Sequence, residues 1–163
     1  VTTHIPLQKV SKAISKRNII KCVTTINNFY KTIFNIKPKF AVLGLNPHNY
    51  SPPKLSEEKK IISKSVNSIK KKKIKVIGPI SPDTSFMNYK IYKFNVIIGM
   101  YHDQVLTSFK ALFKYNAINI TLGLPFVRIS PDHGVGENIV GKNLANNRSL
   151  IEAIIFFNNI KSK

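Results

Sequence analysis

The sequence predicts an α/β fold, a largely parallel sheet with flanking helices. Three observations lead there. Short apolar runs closing on glycine recur along the chain, and amphipathic stretches of helical period lie between them. The 163 residues, 43% of them hydrophobic, are enough for one packed domain or part of one.

Between Ser15 and Asn35, the residues Ile19, Ile20, Val23, Ile26, Tyr30 and Ile33 keep a spacing of three to four, which predicts an amphipathic helix. Cys22 lies beside that stripe and reads as a small buried hydrophobe rather than a reactive thiol. After Pro38, Phe40-Ala-Val-Leu-Gly44 is a continuous apolar run closed by glycine, the form of a buried parallel strand, and the loop Asn46–Pro53 follows. Ser56 offers an N-cap to a second helix. Glu57 and Glu58 suit the positive end of its dipole, Lys70–Lys73 the negative end, and Ile61, Ile62, Val66 and Ile69 its core face. Lys75–Pro79 and Asn95–Gly99 read as further strands, as do Asn119–Gly123 and Phe126–Arg128. A closing helix is expected over Leu144–Asn158, with Leu150, Ala153, Ile154 and Phe157 inward. No internal repeat is visible.

Composition narrows the function. A single cysteine excludes an internal disulfide framework, and the first residues lack the basic start and apolar stretch of a secretory signal, so the cytoplasm is the expected compartment. The longest apolar runs, Val96–Met100 and Ala153–Phe157, are far shorter than the roughly 20 residues that cross a bilayer, so no membrane partner is expected. The 26 basic residues against 7 acidic ones give a net charge of +19, a field that draws polyanions. Only Arg17, Arg128 and Arg148 are arginine, however, and the run Lys70–Lys73 has no interleaved aromatics, so a solvated surface is favoured over nucleic-acid recognition.

In open α/β sheets ligands bind beyond the carboxyl ends of the strands. Polar residues concentrate there: Asn46-Pro47-His48, then Ser81-Pro82-Asp83-Thr84, then Met100-Tyr101-His102-Asp103-Gln104. His4 stands in Thr2-Thr3-His4-Ile5-Pro6-Leu7, ahead of the first expected helix. Three histidines with an open position suit a catalytic divalent metal, and Asp83 and Asp103 could join it or orient its ligands. Each histidine taken singly is more often structural, and their separation in sequence gives no cluster signal. Lys110, Asn119 and Arg128 recur at nine-residue intervals and suit clamping a phosphate or carboxylate, with ordinary surface charge as the competing reading. Gly134, Gly136 and Gly141 do not have the spacing of a dinucleotide fingerprint.

Taken together and in order, Thr2–Leu7, Gly44–His48, Gly78–Thr84, Met100–Gln104, Asn119–Pro125 and Ser130–Gly134 resemble the motifs of the 4-hydroxythreonine-4-phosphate dehydrogenase family of pyridoxal phosphate (vitamin B6) biosynthesis. The resemblance implies a fold like the isocitrate and isopropylmalate dehydrogenases, present incompletely: residues 1–163 would be the C-terminal half of a two-domain metal-dependent dehydrogenase, with the upstream half absent. It implies oxidation of 4-phosphooxy-L-threonine with NAD or NADP, then decarboxylation to 3-amino-2-oxopropyl phosphate, by a cytoplasmic homodimer. The resemblance places His4, His48 and His102 on a divalent metal (Zn, Mg or Co) at a site shared between the subunits, and Lys110, Asn119 and Arg128 on the substrate. Asp103 and Asp83 would serve as outer partners of the metal or in proton transfer, and His133 and Asn138 would lie toward the nucleotide. The chain differs from the family pattern at Asn49-Tyr-Ser-Pro-Pro53, where Ala-Gly-Glu and further glycines are usual, and at Asn138, where an acidic residue is usual. The alternative is an inactive or decaying chain whose basic surface binds anions.

Overall fold

The computed structural model describes residues 1–52 and 56–161, and it forms two compact units, residues 1–108 and 109–163. Pro53, the last residue of the expected loop, lies outside the described residues.

The first unit is built on a three-stranded parallel sheet. Its strands are β1 (Phe40–Leu43), β2 (Val76–Ile80) and β3 (Val96–Ile98), in the order β2-β1-β3. Phe40 pairs with both Val76 and Val96, so β1 is central, and all four of its residues are buried, as a parallel strand covered on both faces requires. Helix α1 (Leu7–Ala13) leads into α2 (Lys16–Phe34). The Ser15 hydroxyl accepts the Asn18 N–H at 3.1 Å to start α2, and Asn35 ends it in the left-handed conformation. The predicted stripe holds at Ile19 and Val23, but the third buried position is Asn27. Cys22 is half-buried against the core, and burial pushes its thiol up, as a packing role requires.

The second predicted helix opens differently. Ser56 does cap it, accepting the Lys59 N–H at 3.2 Å, but Glu58–Ile62 forms a π-type turn before α3 (Ser63–Lys71) begins. Val10, Ile14, Ile19, Val23, Phe40, Val42, Ile62, Val66, Ile69, Val76, Ile98 and Met100 make one core. Each fully buried aliphatic or aromatic side chain there contributes about 1.5–3 kcal/mol. The short helix α4 (Pro82–Ser85) follows β2, and α5 (His102–Phe113) follows β3.

The residues next to the strand ends differ in charge. Lys39 and Lys75 stand immediately before β1 and β2, and Lys93 stands shortly before β3, at the amino edge. The unit's acidic residues, Glu57, Glu58, Asp83 and Asp103, all follow the carboxyl ends of strands or hydrogen-bond to segments that do.

The second unit corrects part of the expectation. Strands β4 (Ile118–Thr121) and β5 (Arg128–Pro131) pair antiparallel as a separate hairpin, so only the first sheet is parallel. Six residues between them suit a hairpin connection and are far too few for a parallel crossover. The closing helix α6 is Arg148–Lys161, starting four residues later than expected. Asn146 Oδ1 accepts the Arg148 N–H at 2.9 Å, and this local turn holds the preceding residues out of the helix. Ser149 ties α6 down: its hydroxyl donates to the Ala117 carbonyl and accepts the Asp132 N–H at 2.8 Å. Ala153 is buried as expected, but Leu150 and Ile154 are exposed. Two strands are too narrow to cover more than one stripe of a helix.

Candidate functional site

The carboxyl edge of the parallel sheet gathers the segments singled out in the sequence. Gln104 joins two of them, accepting the Met100 N–H at 2.6 Å after β3 and donating to the Gly44 carbonyl at 2.8 Å after β1. Thr2 lies alongside: its N–H and hydroxyl donate to the Met100 carbonyl at 3.0 and 2.7 Å, which lays Thr3 and His4 beside the β3 exit. The His4 and His102 rings are accordingly 5.2 Å apart, tilted 47°.

The β1 exit turns tightly through Asn46-Pro47-His48-Asn49. His48 and Asn49 are both left-handed, at φ 52° and 57°. Asn49 donates to the Pro79 carbonyl at 3.3 Å, tying the turn to β2. A Cβ on Gly44 would lie 1.9 Å from Asn49 Oδ1, so any larger residue there would have to displace the Asn49 side chain. Glu58 secures the start of the turn. It accepts the Leu45 and Asn46 N–H groups at 3.0 and 2.8 Å, the Asn46 amide at 3.1 Å and the Ser51 hydroxyl at 2.9 Å. Burial opposes its ionisation, but the hydrogen bonds from Asn46 and Ser51 outweigh that and hold its carboxyl below the usual range.

Two histidines carry aspartate partners. His102 Nδ1 is 2.7 Å from Asp103, and His48 Nδ1 is 3.4 Å from Asp83. The Ser81 hydroxyl beside Asp83, with the Thr84 N–H and His48, holds that carboxyl below its ordinary value. With the proton kept on Nδ1, Nε2 of each ring presents a lone pair, which is the donor chemistry a divalent cation takes. The residue types therefore fit such an ion. Among the described residues no three such side chains converge into a ligand set within this single chain: His4 pairs with His102, and His48 with Asp83.

In the second unit, Asn119 pairs with Ser130 and Thr121 with Arg128, so these four side chains share one face of the hairpin. Arg128 Nη1 donates to the Thr121 hydroxyl at 2.8 Å, which fixes the guanidinium over that face. Lys110 donates to the Asp132 carbonyl at 3.1 Å, and its Nζ is 3.5 Å from the Asp132 carboxylate. Asn119 and Arg128 are thus brought together, while Lys110 is held just beyond the end of β5. His133 and Asn138 are both exposed, His133 against the Gly134 carbonyl at 3.1 Å and Asn138 in the short 3-10 turn Glu137–Ile139.

Residues 1–156 match the family model for pyridoxal phosphate biosynthetic protein PdxA. The chain belongs to the PdxA family. Curated PdxA relatives agree: a 4-hydroxythreonine-4-phosphate dehydrogenase of Sulfurihydrogenibium sp. is 48% identical over 156 residues, covering 94% of this chain and 48% of the relative. One of Aquifex aeolicus is 41% identical, covering 100% of this chain and 51% of the relative. The chain therefore spans about half the length of the curated relatives it matches. A solved 4-hydroxythreonine-4-phosphate dehydrogenase of Klebsiella pneumoniae superposes with a TM-score of 0.84 at 31% identity, covering 99% of this chain and 49% of that one. A terephthalate 1,2-cis-dihydrodiol dehydrogenase of Burkholderia xenovorans shares the fold, with a TM-score of 0.74 at 21% identity, covering 96% of this chain and 50% of that one.

Within this PdxA chain the sequence reading missed the work of Glu58 and Gln104. From the sequence Glu58 reads as a helix-dipole residue, whereas it reaches back to the loop before it; Ser51 and Asn46, polar residues seven and twelve positions upstream, are the available signal. Among the described residues no helix is long and apolar enough to cross a membrane.

Proposed function

We propose that this chain forms the C-terminal half of an NAD- or NADP-dependent 4-hydroxythreonine-4-phosphate dehydrogenase. The whole enzyme oxidises 4-phosphooxy-L-threonine and releases carbon dioxide to leave 3-amino-2-oxopropyl phosphate, in the cytoplasmic synthesis of pyridoxal 5'-phosphate. One observation carries the reading at the level of chemistry: His48 and His102, at the exits of adjacent parallel strands, each turn Nδ1 to an aspartate and leave Nε2 as a donor. The names of the relatives supply the substrate.

In this reading His4, His48 and His102 hold a divalent cation (Zn, Mg or Co), at a site shared between two copies of the protein. When bound, that cation supplies Lewis-acid polarisation of a substrate oxygen. Asp103 and Asp83 keep the imidazoles in one tautomer and are the nearest carboxylates to accept a proton. Arg128 presents a guanidinium to an anionic substrate group, and its bond to Thr121 reduces the entropy lost on binding. Asn119, on the same face, adds an amide that can donate and accept. Lys110 balances the second anionic group, and its bond to Asp132 fixes the direction of the ammonium. His133 and Asn138 face the nucleotide.

The test combines the whole protein with each metal, NAD or NADP and 4-phosphooxy-L-threonine, and follows reduced nicotinamide by absorbance. Turnover that a chelator abolishes and added metal restores is expected. Chelator-treated protein that keeps full activity after verified metal loss would refute the metal assignment, and absence of turnover with every combination would refute the activity.

A further inference from the structure

Glu58 is more thoroughly buried than any other acidic residue described, at 3% exposure, yet it carries a charge. A carboxylate is left ionised in such a place only if its oxygens are saturated with donors. Besides its own N–H, the donors described for it are the N–H of Leu45, the N–H and side-chain amide of Asn46, and the hydroxyls of Ser51 and Ser56. Glu57 adds a second carboxylate to the Asn46 amide at 3.1 Å. Between these anchors lies His48, in a left-handed conformation at φ 52°, ψ 22°, followed by Asn49 at φ 57°. Left-handed backbone costs a non-glycine residue about 1–2 kcal/mol and persists only where its surroundings over-determine it. No glycine stands anywhere in Asn46–Pro53 to take the left-handed positions without that cost.

We infer that Glu58 is a positioning residue for His48: its buried carboxylate fixes Leu45 and Asn46 at the entry to the Asn46–Asn49 turn and Ser51 beyond it, so that His48 is presented in its strained conformation at the carboxyl edge of the sheet. Glu58 touches neither substrate nor metal in this account, and the two anchor points compensate the strain at His48 and Asn49. The inference rests on the reading of His48 as a metal ligand.

The experiment measures the affinity of the whole protein for Zn or Co alone by calorimetric titration, together with the melting temperature of the metal-free form. Glu58→Gln keeps the size and one acceptor but loses the charge, and it is expected to weaken metal binding about tenfold, the low end of what supporting residues contribute to metal sites. Val66→Ala, a core truncation in the following helix, is the control: it should lower the melting temperature at least as much and leave the affinity within twofold. Should Glu58→Gln fail to fold, Asn46→Ala removes the other half of the anchor on a half-buried residue and is expected to weaken binding by the same order. Unchanged affinity in the folded Glu58 or Asn46 variant, or an equal loss in Val66→Ala, overturns the positioning role. A wild-type protein that binds no metal, or a His48→Ala variant that binds it as tightly, overturns instead the ligand reading on which the inference stands.

Discussion

At the scale of single residues, the decisive feature is a proton held in place by a carboxylate. Asp103 accepts from His102 at 2.7 Å, so Asp103→Asn should let the imidazole change tautomer; metal affinity is expected to fall ten- to a hundredfold, with the melting temperature of the metal-free protein nearly unchanged, since Asp103 is exposed. Equal affinity in the two proteins would dismiss the pairing as incidental. Glu58 gives a prediction in pH. Its folded carboxyl titrates below the ordinary glutamate value of about 4.3, so it binds fewer protons folded than unfolded. The stability this provides is complete above that ordinary value and is lost as pH falls through the lower folded value. Urea midpoints of wild type and Glu58→Gln should therefore differ most at neutral pH and converge on acidification; a gap that widens in acid would contradict the sign. The histidines, Asp83 and Asp103 stand out in the sequence because their types are scarce in a lysine- and asparagine-rich chain, and Arg128 because it is one of three arginines; Lys110 and Asn119 belong to the commonest types and carry no such signal. Glu58 does not stand out either, because a glutamate in the first turn of a helix has an ordinary explanation in the dipole, and only the fold brings Asn46 back over it.

At the scale of elements, the turn after β1 depends on a glycine that has no unusual backbone angle. Gly44→Ala places a methyl group where Asn49 folds back, displacing the amide from the Pro79 carbonyl; a loss of about 1–2 kcal/mol is expected, the ordinary range for such a clash. Combining it with Asn49→Gly removes the clashing side chain and suits φ 57°, so a double-mutant cycle should recover part of the loss; strictly additive losses would show that the two positions do not communicate. Helix α2 and strand β1 were readable because capping and periodicity are local signals. Helix α5 was not, although Val105 and Phe109 have helical spacing, because His102, Asp103 and Gln104 at its start drew the reading toward a loop. Helix α1 is only two turns long and too short for a periodic signal. The antiparallel hairpin was missed because pairing direction is a tertiary choice that no single strand records.

At the scale of the whole molecule, the chain contains the carboxyl-edge segments of a PdxA protein in about half its relatives' length. These 163 residues alone, supplied with metal, nicotinamide and 4-phosphooxy-L-threonine, are expected to give no turnover, because reacting groups misplaced by about 1 Å already cost roughly a hundredfold and much of a substrate shell would be missing. Rates near those of intact relatives would show the remaining half to be dispensable. Neutralising Lys70–Lys73, all exposed at the end of α3, should alter solubility and leave kcat/KM of the whole protein within a few fold. A large, salt-sensitive loss of affinity for nucleic acid would point to the anion-binding alternative instead. The lysines that flank the strand starts have a practical consequence for handling. Retention on a cation-exchange or heparin matrix is expected, with Lys39, Lys75 and Lys93 adding to the exposed Lys9, Lys12, Lys59 and Lys60, so the salt needed for elution reads the basic surface as a whole rather than one edge of the sheet.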